Sequence, residues 1–397
     1  MEFQFSDKVK GLKPSAIREI FKSLTDPSVI SFAAGNPSPL SFPVDKLKGL
    51  ADEIFETEAA SALQYGITEG YTPLRTQVAD RLKSKFAIGR DYDEVIITSG
   101  GQQGIDLACK VLCNEGDTVL AENPSFIGAL NAFRSYNVNL KGLDIKGDSI
   151  DPDELEAVLA EDKRVKLLYL IPTFQNPAGV TMPLENRKKI YAICKKHGVV
   201  ILEDNPYGEL RFAGKDVPTI KSLDDEGIVL YSGSFSKVLS SGMRVGFLCG
   251  HKDLIQKIVV VKQTNDVHTN LFFQMLSSKF IAKYGLDEHV ASINALYGRN
   301  CALMLKTMDE TFPKCVTYTR PEGGLFLWVT LPETVDMKDF IARTIAAKVA
   351  VVPGETFLPE PGKPCHAFRM NYSMPTEEQI VTGVKALAGV MRDMGLR

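Results

Sequence analysis

Between residues 94 and 249 the chain repeats one alternation, a short apolar run of β type followed by a helical pattern, and few folds accept that order. The apolar runs fall at 94–98, 118–121, 166–171, 199–202, 228–231 and 245–249. Helical patterns at 101–113, 126–135, 152–160 and 184–197 separate several of them. Strands alternating with helices predict an α/β domain on a mostly parallel sheet. The runs are apolar throughout rather than at every second residue, as expected of strands covered on both faces. From about 254 to 308 the pattern turns helical. Strand-like runs at 316–319, 325–330 and 368–372 then mix with helical patterns near 337–348 and 376–394. That is an α+β signature, so a second, smaller C-terminal domain is expected. The first forty residues, rich in Pro, Ser and Gly after one short helix, are expected to form an arm that packs on the small domain or lines the site.

Length and composition exclude several classes of function. A chain of 397 residues has room for two or three domains and a large core. A formal net charge of -3 offers no electrostatic case for nucleic acid or an anionic membrane as partner. No apolar run approaches the roughly eighteen residues of a spanning helix. The N-terminal stretch MEFQFSDKVKGLKPS lacks the apolar core of a signal peptide, so a cytoplasmic location is expected. The seven cysteines are odd in number and include no CxxC, which fits reduced thiols. Cys109 and Cys113 can share a helix face, but no histidine pair accompanies them, and no metal site is expected.

In an open α/β sheet, ligands bind beyond the C-terminal ends of the strands. Five strand ends here carry polar or aromatic residues. The first leads into Ser99-Gly100-Gly101-Gln102, the next into Asn123-Pro124-Ser125-Phe126, and the third into Gln175-Asn176-Pro177. The last two lead into Asp204-Asn205-Pro206-Tyr207 and Ser234-Phe235-Ser236-Lys237. A lysine at a strand end among small hydroxyl residues suits a Schiff base with pyridoxal phosphate. The Gly100-Gly101 turn at a helix start offers N–H groups and a positive dipole end to a phosphate, although a plain tight turn reads the same way. Ser234, Ser236 and Arg244 would add donors from the other side; Arg244 reads equally as one half of a structural salt bridge. Asp204 can pair with a protonated pyridine nitrogen or cap a turn. Tyr207 and Asn176 are candidates for the ring's 3-oxygen, and Phe126 for its face, unless Phe126 is simply core. Arg369, in an otherwise apolar strand, needs an anion: a substrate carboxylate or an internal acidic residue.

Taken together, these segments resemble the fold-type I pyridoxal-phosphate-dependent aminotransferases of the class I/II superfamily, nearest the 2-aminoadipate, kynurenine and aromatic branch. The resemblance runs from SFAAGNPSPLSFP through LQYGITEGYTPLR, TSGGQQGIDLACKVL, IPTFQNPAGVTM, ILEDNPYGELRF and SGSFSKVLSSGMRVGF to PEGGLFLWVTLP, VVPGETF and FRMNYS. It implies a large domain with a mostly parallel seven-stranded sheet over residues 45–285, an arm and part of the small domain over 1–44, and a small α+β domain over 286–397. Lys237 is then the imine-forming lysine and proton carrier, Asp204 the pyridinium partner, and Asn176 and Tyr207 the 3-oxygen contacts. Ser99, Gly100, Gly101, Gln102, Ser234, Ser236 and Arg244 surround the phosphate. Arg369 and Asn176 hold the substrate carboxylate, and Gly35 lies over the substrate. Tyr65 reaches the phosphate of a neighbouring subunit, which implies a homodimer with shared sites.

The reaction implied is transfer of an amino group from an α-amino acid to a 2-oxo acid, 2-oxoglutarate, with ping-pong kinetics. Phe126 stands where many relatives have tyrosine, and Ser240-Ser241-Gly242 where many have Ser-Pro-Gly. The arm at 31–43 with Phe126, Tyr71 and Phe357 suggests room for a bulky or long side chain. A β-lyase or decarboxylase on the same scaffold is the rival within this chemistry. A silent regulatory domain is the rival outside it; with the recognisable domain starting by about residue 30, no helix-turn-helix module is expected. A nicotinamide enzyme fails on the glycine spacing, which is not G-x-G-x-x-G.

Overall fold

The computed structural model describes residues 3–10, 12, 26 and 28–397. The remainder of the expected N-terminal arm lies outside the described residues. The apolar runs become the core of a sheet with the order Asp93–Thr98, Gly246–His251, Val229–Ser234, Val200–Asp204, Val165–Leu170, Thr118–Asn123, Asn139–Lys146, Ser149–Ile150. Pairing is parallel from Val229–Ser234 through to Asn139–Lys146. Gly246–His251 runs antiparallel to both of its neighbours, so Asp93–Thr98 again points the same way as the parallel set. Thr98, Asn123, Leu170, Asp204 and Ser234 therefore all end on one edge. That edge is where the site is built.

The inner strands are buried almost end to end, and Val165–Leu170 exposes only Lys166. This is the physical reason for the continuous apolar runs: helices cover both faces. Gly101–Leu112, Ile127–Arg134, Pro152–Glu161 and Leu184–His197 are the covering helices that the sequence pattern predicts. One inner strand escaped that reading. Asn139–Lys146 is buried fully at Leu143 alone, so its polar, alternating sequence carries no apolar run. It turns back through Gly147, at φ 68°, into Ser149–Ile150, adding a two-residue eighth strand to the seven that the resemblance implies.

After the helices Lys252–Gln263, Leu271–Tyr284 and Asp287–Thr311 comes an antiparallel sheet of order Thr317–Tyr318, Phe326–Thr330, Ala367–Asn371, Val352–Pro353. Ala367–Asn371 is fully buried, and it places Arg369 in register between Trp328 and Val352. The chain near residue 30 is sewn to this part. Ile30–Ser31 pairs with Val349–Ala350, and Asn371 N donates to Phe32 O at 2.8 Å. One apolar cluster then runs from Ile97 and Tyr169 through Phe326 to Met370, so the two sheets share a core.

Candidate active site

The strand ends, the segment at residues 35–36 and the antiparallel sheet enclose a cavity of about 380 Å³. Gly35, Gly101, Gln102, Phe126, Asn176, Asp204, Tyr207, Ser234, Ser236, Lys237, Arg244 and Arg369 all line it, as do Asn36, Ile105, Ile171 and Phe326. Three of the expected residues stand elsewhere. The Ser99 hydroxyl is turned away to Asp266 Oδ2 at 2.7 Å, and Ser99 offers its carbonyl to Arg244 instead. Gly100 lies under the guanidinium of Arg244: at φ 79° it accepts a turn that side chains resist, and a Cβ there would strike Arg244. Tyr65 is 80% exposed on the outer surface, against the edge of His268. Of the aromatic residues expected to make room for substrate, Phe357 backs Arg369 at 4.9 Å, whereas Tyr71 lies outside the cavity lining.

Lys237 follows the strand Val229–Ser234 and is held by one hydrogen bond, from Nζ to Gly35 O at 2.7 Å. It makes no ion pair among the described residues. Burial, then the charges of Arg369 and Arg244, pull its amine down to about 8. A much larger share of it is therefore uncharged near neutrality than for an ordinary lysine.

Asp204 is buried at its strand end and accepts the Tyr169 hydroxyl at 2.8 Å. Burial lifts its carboxyl to about 6, with no cation paired to it among the described residues. Arg369 is 2% exposed. Its Nη1 donates to Asn176 Oδ1 at 2.9 Å and its Nη2 to Ala33 O at 2.8 Å, while its Nε is buried with no partner. Phe326 at 4.1 Å lies against its face. A buried guanidinium without a carboxylate leaves a charge uncompensated, and burial pulls it down to about 10. Arg244, exposed in the single chain, reaches only Ser236 Oγ, Ser241 O and Ser99 O, at 3.3–3.5 Å.

Three cations and one carboxylate thus line the cavity, an excess that suits a doubly anionic phosphate together with a substrate carboxylate. Arg244, Ser234, Ser236 and the N-terminus of helix Gly101–Leu112 stand close together at the cavity, a donor set whose chemistry fits a phosphate. Ser234 Oγ donates to Ser236 Oγ at 2.9 Å, which keeps both hydroxyls together at the cavity wall. A Cβ at Gly101 would stand 3.9 Å from Asp204 Oδ1, in the space above that carboxylate. Among the described residues no charged group at this cavity has an internal counter-ion, so the residues present fit the cofactor that the resemblance implies.

The loop that carries Asn176 is clamped from two sides by residues the sequence reading did not single out. Glu122 accepts Ile171 N at 3.0 Å and Gln175 Nε2 at 3.2 Å. Burial above all lifts its carboxyl to about 7. On the other side Arg187, fully buried, donates to Met182 O, Pro218 O, Pro172 O and Thr173 Oγ1 at 2.7–3.1 Å. Arg187→Met should therefore lower the unfolding free energy in urea by about 2–4 kcal/mol, because buried carbonyls lose their donors. A change below about 0.5 kcal/mol would mean that the clamp contributes little.

Residues 27–387 of this sequence match the family described as aminotransferase class I and II. The chain belongs to that family. It is 40% identical over 396 residues to an aromatic-amino-acid aminotransferase of Thermococcus litoralis, covering 99% of this chain and 95% of that protein. Among solved structures it superposes on a multiple substrate aminotransferase from Thermococcus profundus with a TM-score of 0.94 and 39% identity, covering 98% of this chain and 97% of the other. It also superposes on the α-aminoadipate aminotransferase of Thermus thermophilus, complexed with N-(5'-phosphopyridoxyl)-L-leucine, with a TM-score of 0.90, 37% identity, and coverage of 98% and 97%. The chain is an amino-acid aminotransferase with the fold-type I architecture. No described helix is long and apolar enough to cross a membrane.

Proposed function

We propose that this aminotransferase moves the amino group of aromatic, 2-aminoadipate-like or a broad range of amino acids to 2-oxoglutarate, the first product leaving before the second substrate enters. Pyridoxal phosphate is its cofactor. The observation that carries the reading is Arg369, a buried guanidinium with, among the described residues, a free Nε and no carboxylate partner, opening on the same cavity as Lys237.

When bound, pyridoxal phosphate supplies the electron sink that lets the α-C–H bond of an amino acid ionise. The residues of this chain do the rest. Arg369 and Asn176 grip the substrate carboxylate and orient it by charge-assisted hydrogen bonds. Lys237 would hold the cofactor covalently through Nζ, and during turnover the same Nζ would take the substrate's α-proton and return it. Asp204, ionised, would pair with the ring nitrogen and keep a proton on it. Tyr207 and Asn176 would serve the ring's 3-oxygen, and Phe126 would cover the ring face. Arg244, Ser234, Ser236, Gly101 and Gln102 would anchor the phosphate, and Gly35 would lie over the substrate.

The same reading includes a cytoplasmic homodimer in which Tyr65 serves the partner's phosphate; its exposure beside exposed Leu63 and Ile67 supports this. It also includes a division into residues 1–44, 45–285 and 286–397. The location of one sheet in each of the two larger parts supports that division. The apolar walls at Ile105, Phe126, Ile171 and Phe326 favour large side chains. A half-reaction screen tests the substrate class by following loss of the visible absorbance of the lysine-linked cofactor. Aromatic amino acids and 2-aminoadipate should respond; a response to alanine or aspartate alone would overturn the assignment.

A further inference from the structure

Tyr169 sits on the strand Val165–Leu170, opposite Leu202 of the strand that ends in Asp204. It is fully buried, with its ring edge-on to Phe133 at 5.5 Å. Its hydroxyl meets Asp204 Oδ2 at 2.8 Å. An ionised carboxylate only accepts, so the phenol is the donor. We propose that Tyr169 is a positioning residue that fixes Asp204, and through it holds the proton on the ring nitrogen of the bound cofactor.

Three observations support this. The bond engages Oδ2, while Oδ1 is the oxygen that a side chain at Gly101 would approach, and Gly101 lines the cavity. Tyr169 thus orients the carboxylate from behind and leaves its other oxygen for the ligand. The donor is also constant: burial first, then the charge of Asp204, hold the phenol far above its ordinary value, so it stays protonated at any working pH. Finally, a hydrogen bond to the charged form opposes the burial that lifts the Asp204 carboxyl. Without it a larger share of Asp204 would be neutral at pH 7, and a neutral carboxyl holds a cationic ring nitrogen weakly. The other titratable groups that feel Asp204 are Glu122, two strands away beyond the strand of Tyr169, and Tyr207 on the loop after Asp204. Both are buried, and neither is shown donating to it.

This inference rests on the proposed use of pyridoxal phosphate and is tested separately from it. The holoenzyme is prepared with pyridoxal phosphate labelled with ¹⁵N in the ring, in the wild type and in Tyr169→Phe, which keeps the ring that packs on Phe133. The wild type should show a protonated ring nitrogen. In Tyr169→Phe the ¹⁵N shift should move toward neutral pyridine, the cofactor dissociation constant should rise about tenfold, and kcat should fall with KM for the amino acid unchanged. A merely structural role would move none of the ¹⁵N signal. Equal ¹⁵N shifts and equal dissociation constants would sink the inference while leaving the functional reading intact. Failure of the wild type to bind the cofactor would sink both. If Tyr169→Phe does not fold, 3-fluorotyrosine at position 169 keeps the hydroxyl and strengthens it as a donor. Its dissociation constant should then fall to or below that of the wild type, and a rise would overturn the proposal.

Discussion

Lys237→Ala should lower turnover by about 10⁴-fold or more, because one amine serves both as attachment point and as proton carrier. Its surroundings say why no neighbour replaces it. The other cations at the cavity are guanidiniums, Arg244 and Arg369, which do not give up protons in this range. Borohydride reduction of the holoenzyme should fix the cofactor's mass on the peptide carrying Lys237, and the variant should gain no such mass. An adduct on another lysine, or surviving turnover, would refute the assignment. The amine's lowered value has its own consequence. Below about pH 8 most of Lys237 is protonated, and only the free amine attaches the cofactor. The rate of cofactor attachment to the stripped protein should therefore rise with pH and level off above about 8.

Asp204→Asn should act in opposite directions on stability and on turnover. Burial raises the folded-state carboxyl from 3.8 to about 6, so the folded chain binds that proton more tightly than the unfolded chain does. The contribution of this group to the stability of the cofactor-free protein is therefore best in acid. It declines between about pH 4 and pH 6, and the full penalty stands above that. The penalty is on the order of 3 kcal/mol at neutral pH, from about 1.4 kcal/mol per pKa unit. Asparagine does not ionise, and the Tyr169 hydroxyl can still pair with its amide. Urea unfolding of the cofactor-free protein should accordingly show Asp204→Asn more stable than the wild type at pH 7.5, and close to it at pH 4. Turnover should meanwhile fall roughly a thousand-fold, about 4 kcal/mol, once the charge opposite the ring nitrogen is gone. A variant less stable than the wild type at pH 7.5 would show that the buried charge is compensated within the chain.

The parts of the fold that were legible are those whose signal is local. Strands covered on both faces are mostly apolar, so Val165–Leu170 and the first half of Val229–Ser234 announced themselves as apolar runs. Asn139–Lys146 did not, because only Leu143 along it is fully buried. The helix Leu184–His197 was legible to its last residue, where Gly198 at φ 68° stops it. At the site, Ser99 was misplaced for a reason that sequence does not carry. Asp266, distant along the chain, captures its hydroxyl. Tyr169 passed as one more apolar strand residue, although a buried phenol always needs a partner. That need was the available clue.

By itself the sequence determined the strand-and-helix order, the chemistry waiting at each strand end, and the lysine around which the rest is arranged. These follow from side-chain hydrophobicity, turn preference and residue type, all of which act over a few positions. Only the tertiary structure decided which groups meet. Lys237 finds Gly35 O from 202 residues away, and Arg369 finds Asn176 from 193. Such meetings depend on sheet order and on how the two sheets share a core, and both are settled by packing across the whole chain. For the same reason only the fold could show that Arg369 meets no carboxylate among the described residues and that Asp204 has Tyr169 behind it.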